Sequence, residues 1–192
     1  TVGGIGISRV YDGTTNASVT PTDNRVAGDV LTLTGTPAFA DKHVGTAKTI
    51  NITGITVTGT DAGNYTFNTS ATTTADITAR ALTVSATGQN KVYDGTTNAT
   101  VTLGDNRVAG DNLSLAGTAS FLNKNVGTAK TVNVTGINVT GTAAGNYTFN
   151  TTATTSADIT PRALTVGGIG ISRVYDGTTN ASVTPTDNRV AG

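Results

Sequence analysis

Polar and apolar residues alternate one by one along much of this chain, the period that turns one face of a strand inward and the other outward. In its middle third the pattern runs through Ala99-Thr100-Val101-Thr102-Leu103, Leu113-Ser114-Leu115 and Thr131-Val132-Asn133-Val134-Thr135. It continues through Ile137-Asn138-Val139-Thr140, Tyr147-Thr148-Phe149-Asn150 and Ala157-Asp158-Ile159-Thr160. Thr, Val and Ile fill most of these positions. Their branched side chains suit a half-buried pleated surface, and Thr keeps that preference where the face is wet. The breaks fall at Asp94-Gly95, Ala109-Gly110-Asp111, Asn125-Val126-Gly127 and Ala144-Gly145-Asn146, where Gly and Asn tolerate turn dihedrals. No segment holds a helical period for three turns. The best candidate is a single turn over Phe39-Ala40-Asp41-Lys42-His43-Val44, before Gly45. The pattern predicts an all-β chain built of small open β-sandwich units, each of about seven short strands. A β-grasp unit, which sets a longer helix against its sheet, is the alternative.

The strand pattern recurs. Tyr11-Asp12-Gly13 returns as Tyr93-Asp94-Gly95 and again as Tyr175-Asp176-Gly177, a period of 82 residues. Gly63-Asn64-Tyr65 returns as Gly145-Asn146-Tyr147, and the 28 residues from Thr165 repeat residues 1–28 letter for letter. This divides the chain into a first repeat at 1–79, a second at 80–161 and the truncated start of a third at 162–192. Such a chain is expected to be a window on a longer array, and arrays serve length and multiplicity where an active site is needed once. Between the first two repeats, Ala75-Asp76-Ile77-Thr78-Ala79-Arg80-Ala81-Leu82-Thr83-Val84 runs from one strand into the next with no Gly/Ser linker. At the second junction Pro161 stands where the first has Ala79, which stiffens the backbone there. The expectation is a rod of end-to-end domains, each about 30 Å along its axis.

Tyr-Asp-Gly-Thr-Thr, then Asp-Asn-Arg-Val-Ala-Gly-Asp, Val-Gly-Thr-Ala-Lys, Gly-Asn-Tyr-Thr-Phe and Ala-Asp-Ile-Thr-Pro-Arg-Ala-Leu-Thr-Val follow one another in a fixed order. In this the chain resembles the YDG-type repeats of large bacterial surface adhesins, filamentous-haemagglutinin-like exoproteins exported by two-partner secretion. The resemblance covers the whole chain. It implies a stalk between an anchoring region and adhesive regions elsewhere, and an extracellular, cell-surface location.

Composition narrows the chemistry. The chain has no Cys, Met or Trp, and its 12 acidic residues are all Asp, balanced by 12 Lys and Arg. No stripe of one charge emerges and aromatic residues are sparse, so nucleic acid is not an expected partner. No apolar run reaches the ~20 residues of a membrane span. Comparing the copies tests each candidate residue. His43 has Asn125 as its counterpart, Asp61 has Ala143 and Asp41 has Asn123, so none marks a site common to both repeats. Asp12/Asp94, Asp23/Asp105, Asp29/Asp111 and Asp76/Asp158 recur, and capping of turns accounts for them. No Asp-x-Asp-x-Asp-Gly loop exists, so no cofactor is expected; calcium at a domain junction, where two units pool ligands, is the alternative.

Ser and Thr abound, but no His accompanies them in both copies and Glu is absent, so no enzyme activity is expected. The residues singled out are Tyr11, Asp12, Gly13 and Tyr93, Asp94, Gly95, together with Gly63, Asn64, Tyr65 and Gly145, Asn146, Tyr147. They read as structural corners: Asp-Gly is a tight-turn pair, and Tyr buries its ring while its hydroxyl reaches a polar partner. The expected partners are neighbouring repeats of the same chain. Alternatives are weak multivalent binding of extracellular polysaccharide or a matrix component, and self-association with other copies into a filament.

Overall fold

The structure, a computed structural model, describes residues 1–190. In the first repeat the strands are β1 (Val2–Ile7), β2 (Arg9–Val10), β3 (Ser18–Asp23), β4 (Thr32–Phe39), β5 (Gly45–Thr58) and β6 (Ala71–Thr78). A short β7 (Arg80–Leu82) carries the chain into β8 (Val84–Gly88), β9 (Lys91–Val92), β10 (Val101–Asp105) and β11 (Ser114–Phe121). The second repeat continues with β12 (Gly127–Thr140), β13 (Tyr147–Phe149) and β14 (Ala153–Thr160), and the last hairpin is β15 (Val166–Ile171) with β16 (Ser182–Asp187). The chain is all-β and built of tandem sandwich-like units. Among the described residues the only helical turns are single 3-10 turns at Ala62–Asn64 and Ala144–Asn146. Among the described residues no helix lies across a sheet as that of a β-grasp unit must. The turn expected at Phe39–Val44 is a bend between β4 and β5, because Phe39 stays in the ladder and Asp41 accepts the His43 N–H at 2.8 Å.

The chain divides into two compact units that cross the repeat boundary. One comprises Thr1–Val84, Asp105–Leu115 and Val139–Asn150; the other comprises Ser85–Gly104, Ala116–Asn138 and the segment from Thr151 onward. In the first unit a four-stranded sheet of order β2-β6-β5-β4 faces the antiparallel hairpin β1–β3. β2 joins β6 in parallel and the other pairs are antiparallel. Phe39, Ile50, Ile52, Ala75 and Ile77 are buried in this unit. The hairpin lies close because its inward positions are small: a Cβ placed on Gly6 would meet the Thr74 carbonyl oxygen at 2.4 Å.

The second unit repeats the plan, with a sheet of order β11-β12-β14-β9 and the pair β10–β8. Phe121, Val132, Ala157 and Ile159 form its core, with Tyr93, Ala99, Val101 and Ala119 packed around them.

One expectation needs correcting. Thr131–Thr135 and Ile137–Thr140 read as separate strands, yet they form one 14-residue strand. Its buried residues are Val132, Val134, Ile137 and Val139, so the inward phase slips by one at Gly136. Gly136 takes φ +61°, a left-handed value that a residue with a Cβ adopts only at a cost. β5 has the same slip at Gly54, also at φ +61°.

Candidate functional site

Six of the residues singled out from the sequence, Tyr11, Asp12, Gly13, Gly145, Asn146 and Tyr147, gather where the first repeat meets the second, inside the first compact unit. Tyr11 follows β2, and its N–H donates to the Thr78 carbonyl at 2.9 Å, which pins the corner to the end of β6. Its side chain is 1 % exposed. The Tyr11 hydroxyl donates to the Asp111 carboxylate, at 3.0 Å from Oδ1 and 2.9 Å from Oδ2. Tyr147 donates to the same carboxylate at 2.6 Å, and its hydroxyl in turn accepts the Val108 N–H at 2.9 Å. The two rings meet edge to face, with centroids 5.5 Å apart and planes at 77°. Lys42, from the bend after β4, brings its ammonium to 3.5 Å from Asp111 Oδ1. Asp111 thus receives two hydroxyls and one cation while itself buried.

The surrounding backbone closes the same contact. Gly13 takes φ +82° in its turn, and a Cβ there would meet Val108 Cγ1 at 2.7 Å. Asp12 stays on its own side of the corner, where Oδ1 accepts from the Thr14 N–H and hydroxyl, both at 2.9 Å, and pairs with Arg9. Asn146, in the 3-10 turn with Gly145, accepts the Val44 N–H at 3.1 Å, and its amide nitrogen lies 3.4 Å from the His43 ring. Behind it β13 pairs in parallel with β7, Tyr147 opposite Arg80 and Phe149 opposite Leu82. Asn150 Oδ1 accepts the Val84 N–H at 2.8 Å, while its Nδ2 donates to the Val84 carbonyl at 3.0 Å.

The first repeat carries the same residues, and there they pair with no strand. Tyr65 donates to Asp29 and accepts the Val26 N–H at 2.9 Å, as Tyr147 does with Asp111 and Val108. Here Tyr65 is half-buried, and Gly63, Asn64 and Phe67 are exposed. Tyr65-Thr66-Phe67 forms no strand, although Tyr147-Thr148-Phe149 does. Identical residues become β13 only where β7 offers a ladder. In the second unit Tyr93 repeats the backbone anchor, its N–H donating to the Thr160 carbonyl at 2.9 Å. Asp94 accepts from Lys91 Nζ at 2.8 Å, and Gly95 takes φ +79°.

The remaining recurrent Asp residues do local work. Asp23 and Asp105 hold Arg25 and Arg107 two residues on. Asp76 and Asp158 each accept, at 2.8 Å, the N–H of an Ala in a left-handed bulge, Ala47 or Ala129. Among the described residues no three His, Cys, Asp or Glu side chains gather in metal-binding range. A groove of about 330 Å³ between the β1–β3 hairpin and its sheet, lined by Val2, Val19, Leu33, Pro37, Ile52 and Ile55, carries no titratable side chain.

A family model for the YDG domain matches residues 1–75 and again 78–156. The chain belongs to the YDG domain family. No curated protein and no solved structure matches it. The two YDG domains therefore meet through the Tyr-Asp-Gly corner of one and the Asp111–Tyr147 pair of the next. Sequence reasoning found the tyrosines but read Asp111 as a turn cap. One signal for it was available: Asp29/Asp111 keeps its acid in both copies where Asp41 and Asp61 do not.

The contact has a defined pH response. Burial, then the hydrogen bond to Asp111, pushes Tyr11 up to about 12, and the same two causes take Tyr147 to about 12. Burial alone would raise Asp111, but the hydroxyls of Tyr147 and Tyr11 and the charge of Lys42 outweigh it and hold the carboxyl below its usual range. A tyrosine raised in the fold contributes stability below its unfolded value near ~10 and loses it as pH climbs through the folded value. A lowered carboxyl contributes above its unfolded value near ~3.9 and loses it as pH falls. The thermal midpoint of the first unit is therefore expected to hold at neutral pH, fall in acid below ~4, and fall again above ~10. In the Tyr11→Phe variant the alkaline fall should shrink, which calorimetry across that range checks directly.

Proposed function

We propose that this chain is a stalk segment of a bacterial surface adhesin, in which successive YDG domains hold a binding region away from the cell. The observation that supports this best is the buried Tyr11–Asp111–Tyr147 contact between repeats joined without a linker. A spacer has to resist bending at its joints. A joint made of one continuous extended segment, an added parallel strand pair and a buried polar contact leaves few soft dihedrals. The resemblance to adhesin repeats supplies the cell-surface location. On this reading the chain works without catalysis or cofactor, and its partners are its own neighbouring repeats.

The alternative, weak multivalent binding of a polysaccharide along the array, is less favoured by the aromatic residues. Tyr11 and Tyr147 are buried against each other, which leaves them no free face for a sugar ring. The immobilised chain, presented at high density, is expected to retain no bacterial polysaccharide or matrix component, with calcium or with chelator. Saturable retention that a soluble competitor removes would overturn the spacer reading.

A further inference from the structure

In both repeats the segment that leads in lies parallel to the strand that leads out. In the second repeat the chain comes in along β8 and β9 and leaves along β14. β9 runs beside β14 in parallel, Lys91 opposite Ile159 and Val92 opposite Thr160. The contact extends past this ladder at both ends. Before it, the Gly88 N–H donates to Thr155 Oγ1 at 3.2 Å, and the Asp158 N–H donates to Asn90 Oδ1 at 2.7 Å. Across and after it, Thr160 Oγ1 donates to the Lys91 carbonyl at 3.3 Å, and the Tyr93 N–H donates to the Thr160 carbonyl at 2.9 Å. A Cβ on Gly88 would meet the Ser156 carbonyl oxygen at 2.5 Å, so the end of β8 already lies against β14. The first repeat has the same pair, with Arg9 opposite Ile77 and Val10 opposite Thr78. There Ser8 Oγ accepts the Asp76 N–H at 2.9 Å, and Tyr11 closes the run on Thr78.

We infer that this parallel pair is a force clamp, the element that holds each repeat closed when the chain is pulled lengthwise. Tension drags β9 toward its N-terminus and β14 toward its C-terminus. Because the two strands run the same way, these pulls slide one along the other instead of parting them from an end. Hydrogen bonds between strands lie across the strand direction. Under sliding they are therefore strained together and yield together, whereas peeling from one end breaks them singly. Asn90 and Ser8 stand between the hairpin strand and the sheet strand, where each side chain supplies an acceptor to the outgoing strand and lengthens the clamp by a bond. Resistance to force follows the barrier to unfolding and not equilibrium stability, so it depends on which bonds the pull meets first.

The use of such a clamp in a stalk rests on the function proposed above; its geometry does not. Polysaccharide retention, which overturns the stalk reading, leaves the direction dependence of the force untouched.

Single-molecule pulling of the full chain tests the clamp. The chain has no Cys, so handles attach only where a thiol is introduced. Thr83→Cys with Arg162→Cys loads the second repeat between the lead-in to β8 and the exit from β14. Thr97→Cys with Arg162→Cys moves one handle beyond the C-terminal end of β9, so that β9 is lifted off β14 from the Tyr93 end. At one loading rate the first geometry is expected to need a several-fold higher force than the second. Asn90→Ala, at an exposed position, is expected to lower the force of the first geometry. It should leave the second unchanged, because the contact opens there at Tyr93 and reaches Asn90 last. Equal forces in the two geometries, or an Asn90→Ala variant that holds as firmly as the parent in the first, would overturn the inference.

Discussion

Asp111→Ala is expected to destabilise the first compact unit by about 3 kcal/mol, while Asp29→Ala costs about 1 kcal/mol or less. Both substitutions remove the acid of the same Arg-Val-Ala-Gly-Asp segment, and each acid serves the tyrosine 36 residues on. Only the setting differs. At Asp111 the Tyr11 and Tyr147 hydroxyls are both buried and both donate to this one carboxylate, so removing it strands two donors away from water. A stranded buried donor forfeits its hydration with nothing in return, about 1–3 kcal/mol for each group. At Asp29 a single, half-buried Tyr65 loses its acceptor and turns to solvent. The chain has no Trp, so urea unfolding would be followed by tyrosine emission together with circular dichroism. Equal effects from the two variants would mean that the contact between repeats adds no stability beyond that of an isolated domain.

Phe121→Ala is expected to cost the second unit about 3–5 kcal/mol, and Leu122→Ala next to it almost nothing. Phe121 is 3 % exposed and packs with Val132, Ala157 and Ile159, while Leu122 is 67 % exposed. Truncating Phe121 removes a buried ring and leaves a cavity between β11, β12 and β14 that strands held by their ladders cannot close. It also removes the ring over which the Lys91 ammonium sits, 5.5 Å from the centroid. The two residues are consecutive and both apolar, so hydrophobicity does not separate them; position does, because Phe121 ends β11 facing inward and Leu122 lies in the bend that follows. Urea midpoints of the two variants measure the difference. A Leu122→Ala loss as large as that of Phe121→Ala would mean that the bend after β11 packs into the core.

Much of this arrangement was legible in the residues. Alternation at period 2 gave the strands around Val101, Val132 and Ile159, and Gly-containing breaks gave the turns at Gly95, Gly110 and Gly145. Local chemistry suffices there, because a strand face and a tight turn depend on neighbours one to four residues away. The slip at Gly136 was harder to read, since a bulge keeps two runs of opposite phase in one strand and alternation sees them as two. At Phe39–Val44 six residues of mixed polarity suit a single helical turn or a bend alike, and the structure has the bend.

The contact between repeats lay beyond the sequence for a different reason. Tyr11 and Asp111 stand 100 residues apart, and no local pattern states which acid meets which hydroxyl. Recurrence determined that both full repeats carry this tyrosine and this acid, and so that the chain is a tandem array of all-β domains of the YDG family. Only the tertiary structure decided that Asp111, and not Asp12 beside it, receives Tyr11. The same sequence, Tyr-Thr-Phe, is a strand at 147–149 and not at 65–67. A strand is a property of two segments, and whether the second one is present is settled in space.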